Sequence, residues 1–494
     1  MSGKSYTICE FGTIRKSSDY EGLDGFNHVD NMVYLPDKSF DSIYNFILEN
    51  QGKDEYNEPP FSLFQKDRHI QIKAKNYVGV IETKDGVSLE ILPKIHLTES
   101  NEAVFLRKTR SVFLKMLGHL KDSPLKDLSV AHLSTKSNFP ILEVFISSFI
   151  KEIELLLNKN IRNDYVNEKD NINFVRGKLL VRQNIKYNFI NKAKFYCEFS
   201  EFTINTPQNR IIKTTLIKLL KKTRNHLNLT RLNKLISIFD SVDISKDITK
   251  DLKTCKVSIG NNRLYLAYRN ILMWSEIFLT GKSFTNFRGS AINTAVLFPM
   301  ERIFEDYIVG IFKTYCEGYK IKTQDRSYSL IERHIDEKRV QLRPDMVLEN
   351  EAQRKIIIDA KWKLIDGTKF KGNYKISLPD LYQLYAYGKK YAYNEPDKKN
   401  PTLVLLYPSN EQFSKNLPNF VYEVDPVTED GLSLEVIPFD LAEDILSNNE
   451  QINRIIQYLA GRQPSDEKTP KIYDINSLDD IAIAADGAGK YNSK

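Results

Sequence analysis

The sequence predicts a multidomain α+β protein with a β-rich N-terminal region, a helical middle and a C-terminal α/β region built on a mixed sheet. Three observations carry this. Asp85-Gly86 lies between two apolar, β-branched runs, a hairpin signal within a strand-dominated start. Helical spacing of apolar residues then dominates from about 99 to 157 and again from about 207 to 280. Beyond about 296, helical and strand-like stretches alternate, as in helices flanking a mixed sheet.

Taken in order, Tyr77–Thr83 (YVGVIET) and Val87–Pro93 (VSLEILP) form the hairpin. A helix interrupts this region, with Ser39 as its N-cap and Ile43, Phe46 and Ile47 on one face. Val104, Leu106, Val112, Phe113, Met116 and Leu117 mark the next helical stretch. Shorter segments follow over 160–205, including Phe174–Val181 (FVRGKLLV) and Phe195–Thr203 (FYCEFSEFT). Helices are expected at about 207–227, 230–240 and 262–280, the last apolar on most faces and therefore buried. A boundary is placed near 285, where Gly281, Ser283 and Asn286 break the pattern.

After that boundary a helix near 296–317 leads to strands near 319–333, 339–349 and 355–362. A helix at about 378–394, a strand at 401–407, further β segments to 438 and a closing helix at about 440–460 complete the region. The divisions are 1–160, β-rich and helical; 161–285, mostly helical; 286–462, α/β; and 463–494, a polar, patternless tail expected to be disordered.

Composition narrows the function classes. The 494 residues suit about three domains. With 41% hydrophobic and 27% charged residues, the chain is neither a rod nor a disordered polymer. A net charge of +7 permits nucleic-acid binding without demanding it. Four scattered cysteines (Cys9, Cys197, Cys255, Cys316) give neither a zinc motif nor a disulfide framework, so a reducing, cytoplasmic setting is expected. No apolar run reaches the 18 or so residues that span a bilayer, and no membrane role is expected.

One stretch carries chemistry. Asp345 sits on one predicted strand, and fourteen positions later Asp359-Ala360-Lys361 closes a second strand that opens with three isoleucines. Residues i and i+2 of a strand share a face, so Asp359 and Lys361 point together. With Asp345 across a hairpin, two carboxylates and an ammonium converge. Such a set suits Mg²⁺-assisted phosphodiester hydrolysis: Asp345, Asp359 and the Ala360 carbonyl as ligands, Lys361 orienting or deprotonating a water and stabilising developing charge.

The spacing alone is unspecific; the apolar second strand adds weight, because its terminal charges must lie at a core edge. On the preceding helix Glu305 falls at the edge of the apolar arc and is favoured over Glu301 as a further metal ligand. Gln383 and Tyr387 share a helix face and are candidate DNA contacts, as are Lys363 and Lys371 in a basic loop with Lys369 and Lys375. No phosphate-binding loop is found: Gly281-Lys282-Ser283 has Glu276 where the first glycine belongs, so the chain is not expected to hydrolyse nucleotides itself.

Asp345…Asp359-Ala360-Lys361 resembles the PD-(D/E)xK nuclease superfamily, and Gln383…Tyr387 the QxxxY feature of its RecB-like branch. Through Val78–Ile95 (VGVIETKDGVSLEILPKI), Val175–Lys178 (VRGK), Cys197–Arg210 (CEFSEFTINTPQNR), Arg343–Asp345 and Asp359–Lys363 (DAKWK), the chain to about 460 resembles the McrC family, the nuclease subunits of McrBC-type restriction systems. The resemblance implies an McrB-like AAA+ GTPase hexamer as partner, bound and stimulated by the N-terminal region (1–160). It further implies Mg²⁺-dependent cutting of double-stranded DNA, of the 5-methylcytosine type, by the C-terminal domain. A RecB-like repair nuclease and a non-catalytic adaptor are the alternatives.

Overall fold

The computed structural model describes residues 4–461 except 21, 28–29, 51–58, 96–100, 122–123, 126–138, 160, 191, 262, 281–291, 352–353, 395–399, 425–430 and 443–444. The boundary expected near 285 and the tail 463–494 lie outside the described residues.

The N-terminal region contains two sheets. One orders Gly25–Asn27, Met32–Leu35, Thr13–Lys16, His69–Ala74 and Phe61–Lys66. The other orders Ser5–Cys9, Ser88–Leu92, Tyr77–Thr83 and Ile292–Pro299. The expected hairpin is there, and Asp85 accepts a hydrogen bond from Ser39. Ser39 lies inside the first turn of the helix Asp37–Asn50 and is not its N-cap, while Ile43, Phe46 and Ile47 are buried against the sheets as the periodicity required.

Ile292–Pro299 was expected to begin a helix near 296; it is an edge strand antiparallel to Tyr77–Thr83, and the helix starts at Met300. The sheet of the chain's start is thus completed by residues more than 200 positions later. Gly79 makes the pairing possible. Its φ is +138°, and a Cβ there would stand 2.0 Å from the Val296 carbonyl oxygen.

The middle is helical: Glu102–Leu117, Ile141–Leu157, Pro207–Leu220, His226–Ile238, Ile248–Asn261 and Arg269–Thr280. Ile248–Asn261 was not expected, and within the shorter segments of 160–205 Val181–Asn188 is also helix. The motif around Thr206 is architectural. Thr206 caps Pro207–Leu220 through the Asn209 N–H, and Arg210 forks onto Asp251 at 3.0 and 3.2 Å. Glu90, from the LEILP stretch, is buried and accepts from Arg110 and from the Ile141 N–H, which ties the second sheet to the helices.

The C-terminal sheet has six strands in the order Lys320–Thr323, Met346–Glu349, Lys355–Ala360, Thr402–Pro408, Gly431–Phe439 and Phe420–Val424. The two pairings of Thr402–Pro408 are parallel and the others antiparallel, so the sheet is mixed, as expected. Alternate residues enter two different cores. Met346, Ile356, Ile358 and Val404 join the large helical core, whereas Val347, Ile357, Leu403 and Leu405 face the helix Leu378–Asn394. Both faces are covered, which is why the sequence shows three consecutive isoleucines here rather than alternation. All four cysteines are free thiols, and no helix among the described residues is long and apolar enough to cross a membrane.

Gly79→Ala is expected to cost about 2 kcal/mol or more in chemical denaturation, from positive φ and the collision with Val296. Gly260→Ala, in a helix with open space around it, should stabilise by up to about 1 kcal/mol. Equal effects from the two would contradict the strand pairing.

Candidate active site

The antiparallel register pairs Met346 with Ile358, which puts Asp345 and Asp359 opposite each other at the open end of the two strands. Both are buried; Asp359 is 1% exposed. One Asp345 oxygen accepts the Ala360 N–H at 2.8 Å. Lys361 extends the second strand by donating its N–H to the Leu406 carbonyl, and its ammonium stands 2.6 Å from Asp359 Oδ2. That contact is an ion pair at the edge of hydrogen-bond geometry, and Asp359 Oδ2 is sealed from solvent with the Lys361 ammonium against it.

Glu305 comes from the helix Met300–Tyr315, whose apolar stripe (Ile303, Phe304, Ile308, Ile311, Phe312) is buried as its periodicity required. Glu305 turns toward Asp345, and Glu301 stays exposed. Between the two carboxylates stands Gln324, whose Nε2 donates to Glu305 Oε1 and, at 3.2 Å, to Asp345 Oδ1. Gln324 was not anticipated. It has φ +50°, and its own N–H is held by the Asp345 carbonyl oxygen.

The electrostatics follow from crowding. Burial, then the charges of Asp359 and Glu305, push the Asp345 carboxyl well above the usual carboxylate range. Burial, with Asp306 and Asp359 nearby, also raises Glu305. Burial would lower Lys361, but Asp359 and Asp345 outweigh it and hold the ammonium form. An ammonium held in its charged form is suited to stabilising developing negative charge.

Gln383 and Tyr387 share a face of the helix Leu378–Asn394, and the Gln383 amide donates to the Tyr387 hydroxyl at 2.7 Å. Burial and the nearby Asp359 push the Tyr387 phenol up to about 12. This pair adjoins the carboxylates. Lysines of the basic loop pair with nearby carboxylates. Lys363 places its ammonium 2.9 Å from both oxygens of buried Asp380, which also accepts from Tyr407. Lys369 and Lys375 pair with Asp366. Lys371 is exposed. Asp380 was missed because an acidic residue in a first helical turn reads as ordinary dipole compensation.

The donor set fits a hard divalent cation. All three carboxylates present oxygen and stand together where water is scarce. The enclosure is not closed. Among the described residues, no three His, Cys, Asp or Glu side chains are gathered tightly enough to surround an ion. The Gln324 amide bridges the gap between Glu305 and Asp345.

A raised carboxylate in the folded state binds its proton more tightly than in the unfolded chain. Stability from the cluster is therefore greatest at low pH and is lost as pH rises from about the ordinary Glu value of 4.5 through the raised one. Glu305→Gln, which keeps an acceptor for Gln324, should raise the melting temperature by a few degrees at pH 8 in chelator and much less at pH 5. A melting temperature lowered equally at both pH values would contradict the mutual repulsion.

Comparison with known proteins agrees with this architecture. A family model described as McrBC 5-methylcytosine restriction system component matches residues 72–408. No curated protein matches the chain. Among solved structures, the chain is similar to one in a refined half-complex from the tetradecameric assembly of Thermococcus gammatolerans McrB AAA+ hexamers with bound McrC. The TM-score is 0.60 at 18% identity, covering 92% of this chain and all of that one. A chain of the Thermococcus gammatolerans McrBC complex, seen by cryo-EM, matches at TM-score 0.42 and 19% identity over 64% of this chain and 89% of that one. At these identities the likeness is one of fold. The family match spans more than two thirds of the sequence and includes the hairpin, Glu305, Gln324, Asp345, Asp359 and Lys361: the chain belongs to the McrBC 5-methylcytosine restriction system component family.

Proposed function

We propose that this chain is the endonuclease subunit of a GTP-dependent restriction complex that cuts double-stranded DNA of the 5-methylcytosine-modified class. In this reading a PD-(D/E)xK site lies in the C-terminal region and an McrB-like AAA+ GTPase hexamer is the partner, in the cytoplasm. The observation that carries the chemistry is the opposition of Asp345 and Asp359 across one strand pair, with Lys361 on the same face and Glu305 alongside.

Asp345, Asp359 and Glu305 would hold Mg²⁺, which when bound lowers the pKa of a water and neutralises charge at the scissile phosphate. The Ala360 N–H fixes the rotamer of Asp345, leaving its other oxygen to face Glu305. Lys361, kept charged by Asp359, orients the attacking oxygen and stabilises the negative charge that develops on phosphorus oxygens. Tyr387 stays protonated and, with Gln383, offers neutral donors to a phosphate or sugar oxygen. Lys371 supplies charge to the backbone, whereas Lys363 orders its loop through Asp380.

A partner surface needs exposed apolar side chains, and within 1–160 these are scattered. They concentrate instead on the small sheet of Asp164–Ile172, Lys178–Leu179 and Phe195–Thr203 with the helix Val181–Asn188. Phe174, Val175, Val181, Ile185, Phe189 and Ile190 are all more than half exposed, Ile190 at 93%. Gly177 (φ +66°) lets the chain turn tightly against Phe199, over whose ring Arg176 packs at 4.5 Å. This arm extends the partner surface beyond 1–160.

With the GTPase subunit, GTP and Mg²⁺, methylated plasmid should be cut by the wild type, and Asp359→Ala should lower cutting by about a hundredfold or more. Stimulation of GTP hydrolysis should be unchanged in that variant. Equal cutting by both proteins would place the chemistry elsewhere and leave an adaptor. Separately, Phe189→Asp with Ile190→Asp should weaken binding to the GTPase by about tenfold or more in calorimetry. Unchanged affinity would remove the arm from the interface.

A further inference from the structure

Glu10 is fully buried, yet among the described residues no side-chain cation forms an ion pair with it. Its carboxyl oxygens accept N–H groups: the Lys94 backbone at 3.1 Å, and the Trp362 indole Nε1 at 3.1 and 3.3 Å from the two oxygens. Its backbone is pinned as well, the N–H to the Leu92 carbonyl at 2.9 Å and the carbonyl to the Asn31 amide at 3.0 Å. Glu10 therefore belongs rigidly to the sheet of Ser5–Cys9 and Ser88–Leu92. Burial pushes its carboxyl up to about 8, with Glu301 adding to the shift and Lys94 opposing it.

Trp362 directly follows Lys361 in the chain. Its ring also packs against Phe304 at 5.4 Å between centroids, and Phe304 directly precedes Glu305. One buried side chain thus touches the N-terminal sheet, the exit of the strand that carries Asp359 and Lys361, and the helix that carries Glu305.

We propose that Glu10 is a positioning residue for the candidate nuclease site: its carboxylate fixes Trp362, and through Trp362 it sets the approach of Lys361 and Glu305 to Asp345 and Asp359. The N-terminal sheet is then a structural member of the active site, placed 352 positions away in sequence. This rests on the nuclease reading above only for its cleavage readout; the geometry is independent of it.

The test uses the full chain. Mn²⁺ is titrated calorimetrically into the wild type, Glu10→Ala, Glu10→Gln and Trp362→Phe. Cleavage with the GTPase subunit is measured in parallel, with Asp359→Ala as the inactive control. Because the chain has two tryptophans, Trp274→Phe leaves Trp362 as the sole indole, and its emission reports the Glu10 contact. Glu10→Ala should shift that emission and weaken Mn²⁺ binding and cleavage by about tenfold or more. Glu10→Gln, which keeps an acceptor for the indole, should recover most of both.

Should Glu10→Ala fail to fold by circular dichroism, Trp362→Phe gives the same comparison, since it removes the N–H but keeps a ring against Phe304. Shifted emission with unchanged Mn²⁺ affinity and cleavage would overturn the proposal, as would a Gln variant as impaired as Ala. If the wild type binds Mn²⁺ in a Glu10-dependent way but cuts nothing, the nuclease reading falls and the positioning role stands.

Discussion

Like charges held together at a buried sheet edge are the constraint around which the C-terminal region is arranged. The register of Met346–Glu349 against Lys355–Ala360 sets Asp345 opposite Asp359, and the helix Met300–Tyr315 brings Glu305 to the same place. Three carboxylates so placed repel one another, and the surroundings offset this only in part. Lys361 neutralises one side, the Ala360 N–H supports Asp345, and a single Gln324 amide bridges the remaining gap. The sheet sustains the cost because its strands are buried on both faces, between the large helical core and the layer under Leu378–Asn394. Such concentrated unfavourable charge has a physical purpose if a cation completes it.

The remainder of the molecule is tied to that edge more closely than a chain of separate domains would be. Ile292–Pro299 pairs with Tyr77–Thr83 in the N-terminal sheet immediately before the helix that carries Glu305 begins. Glu90 joins the same sheet to the helical middle through Arg110 and the first turn of Ile141–Leu157. Glu10 reaches Trp362 beside Lys361. A displacement of the N-terminal sheet therefore has rigid routes to both sides of the carboxylate cluster.

Much of this was legible where it depends on local pattern. The hairpin at Asp85-Gly86, the stripe containing Ile303 and Phe304, and the isoleucine strand ending in Asp359-Ala360-Lys361 follow from periodicity, and Glu305 over Glu301 follows from a helical wheel. The misreadings have physical causes. Ala295–Phe298 is an apolar run buried on both sides, which periodicity alone cannot distinguish from buried helix, so the helix was begun near 296 instead of at Met300. In Ile248–Asn261, Leu252 and Cys255 are the buried apolar residues among the side chains described, too sparse a stripe to announce a helix. Gln324 gives no signal, since its role comes from a left-handed turn and from neighbours on two other elements. The pairing of Lys363 with Asp380 gives no sequence signal either, because Asp380 lies on another element. Glu10 and Trp362 meet only in the folded chain.

The central claim is that Glu305, Asp345 and Asp359 form one divalent-cation site. Anomalous diffraction from crystals of the full chain soaked in Mn²⁺ tests it most directly. The account predicts a single strong peak about 2.1 Å from oxygens of all three carboxylates, with the Gln324 amide swung away from the gap it now bridges. A peak elsewhere, or none at this edge while Gln324 keeps both hydrogen bonds, would contradict it.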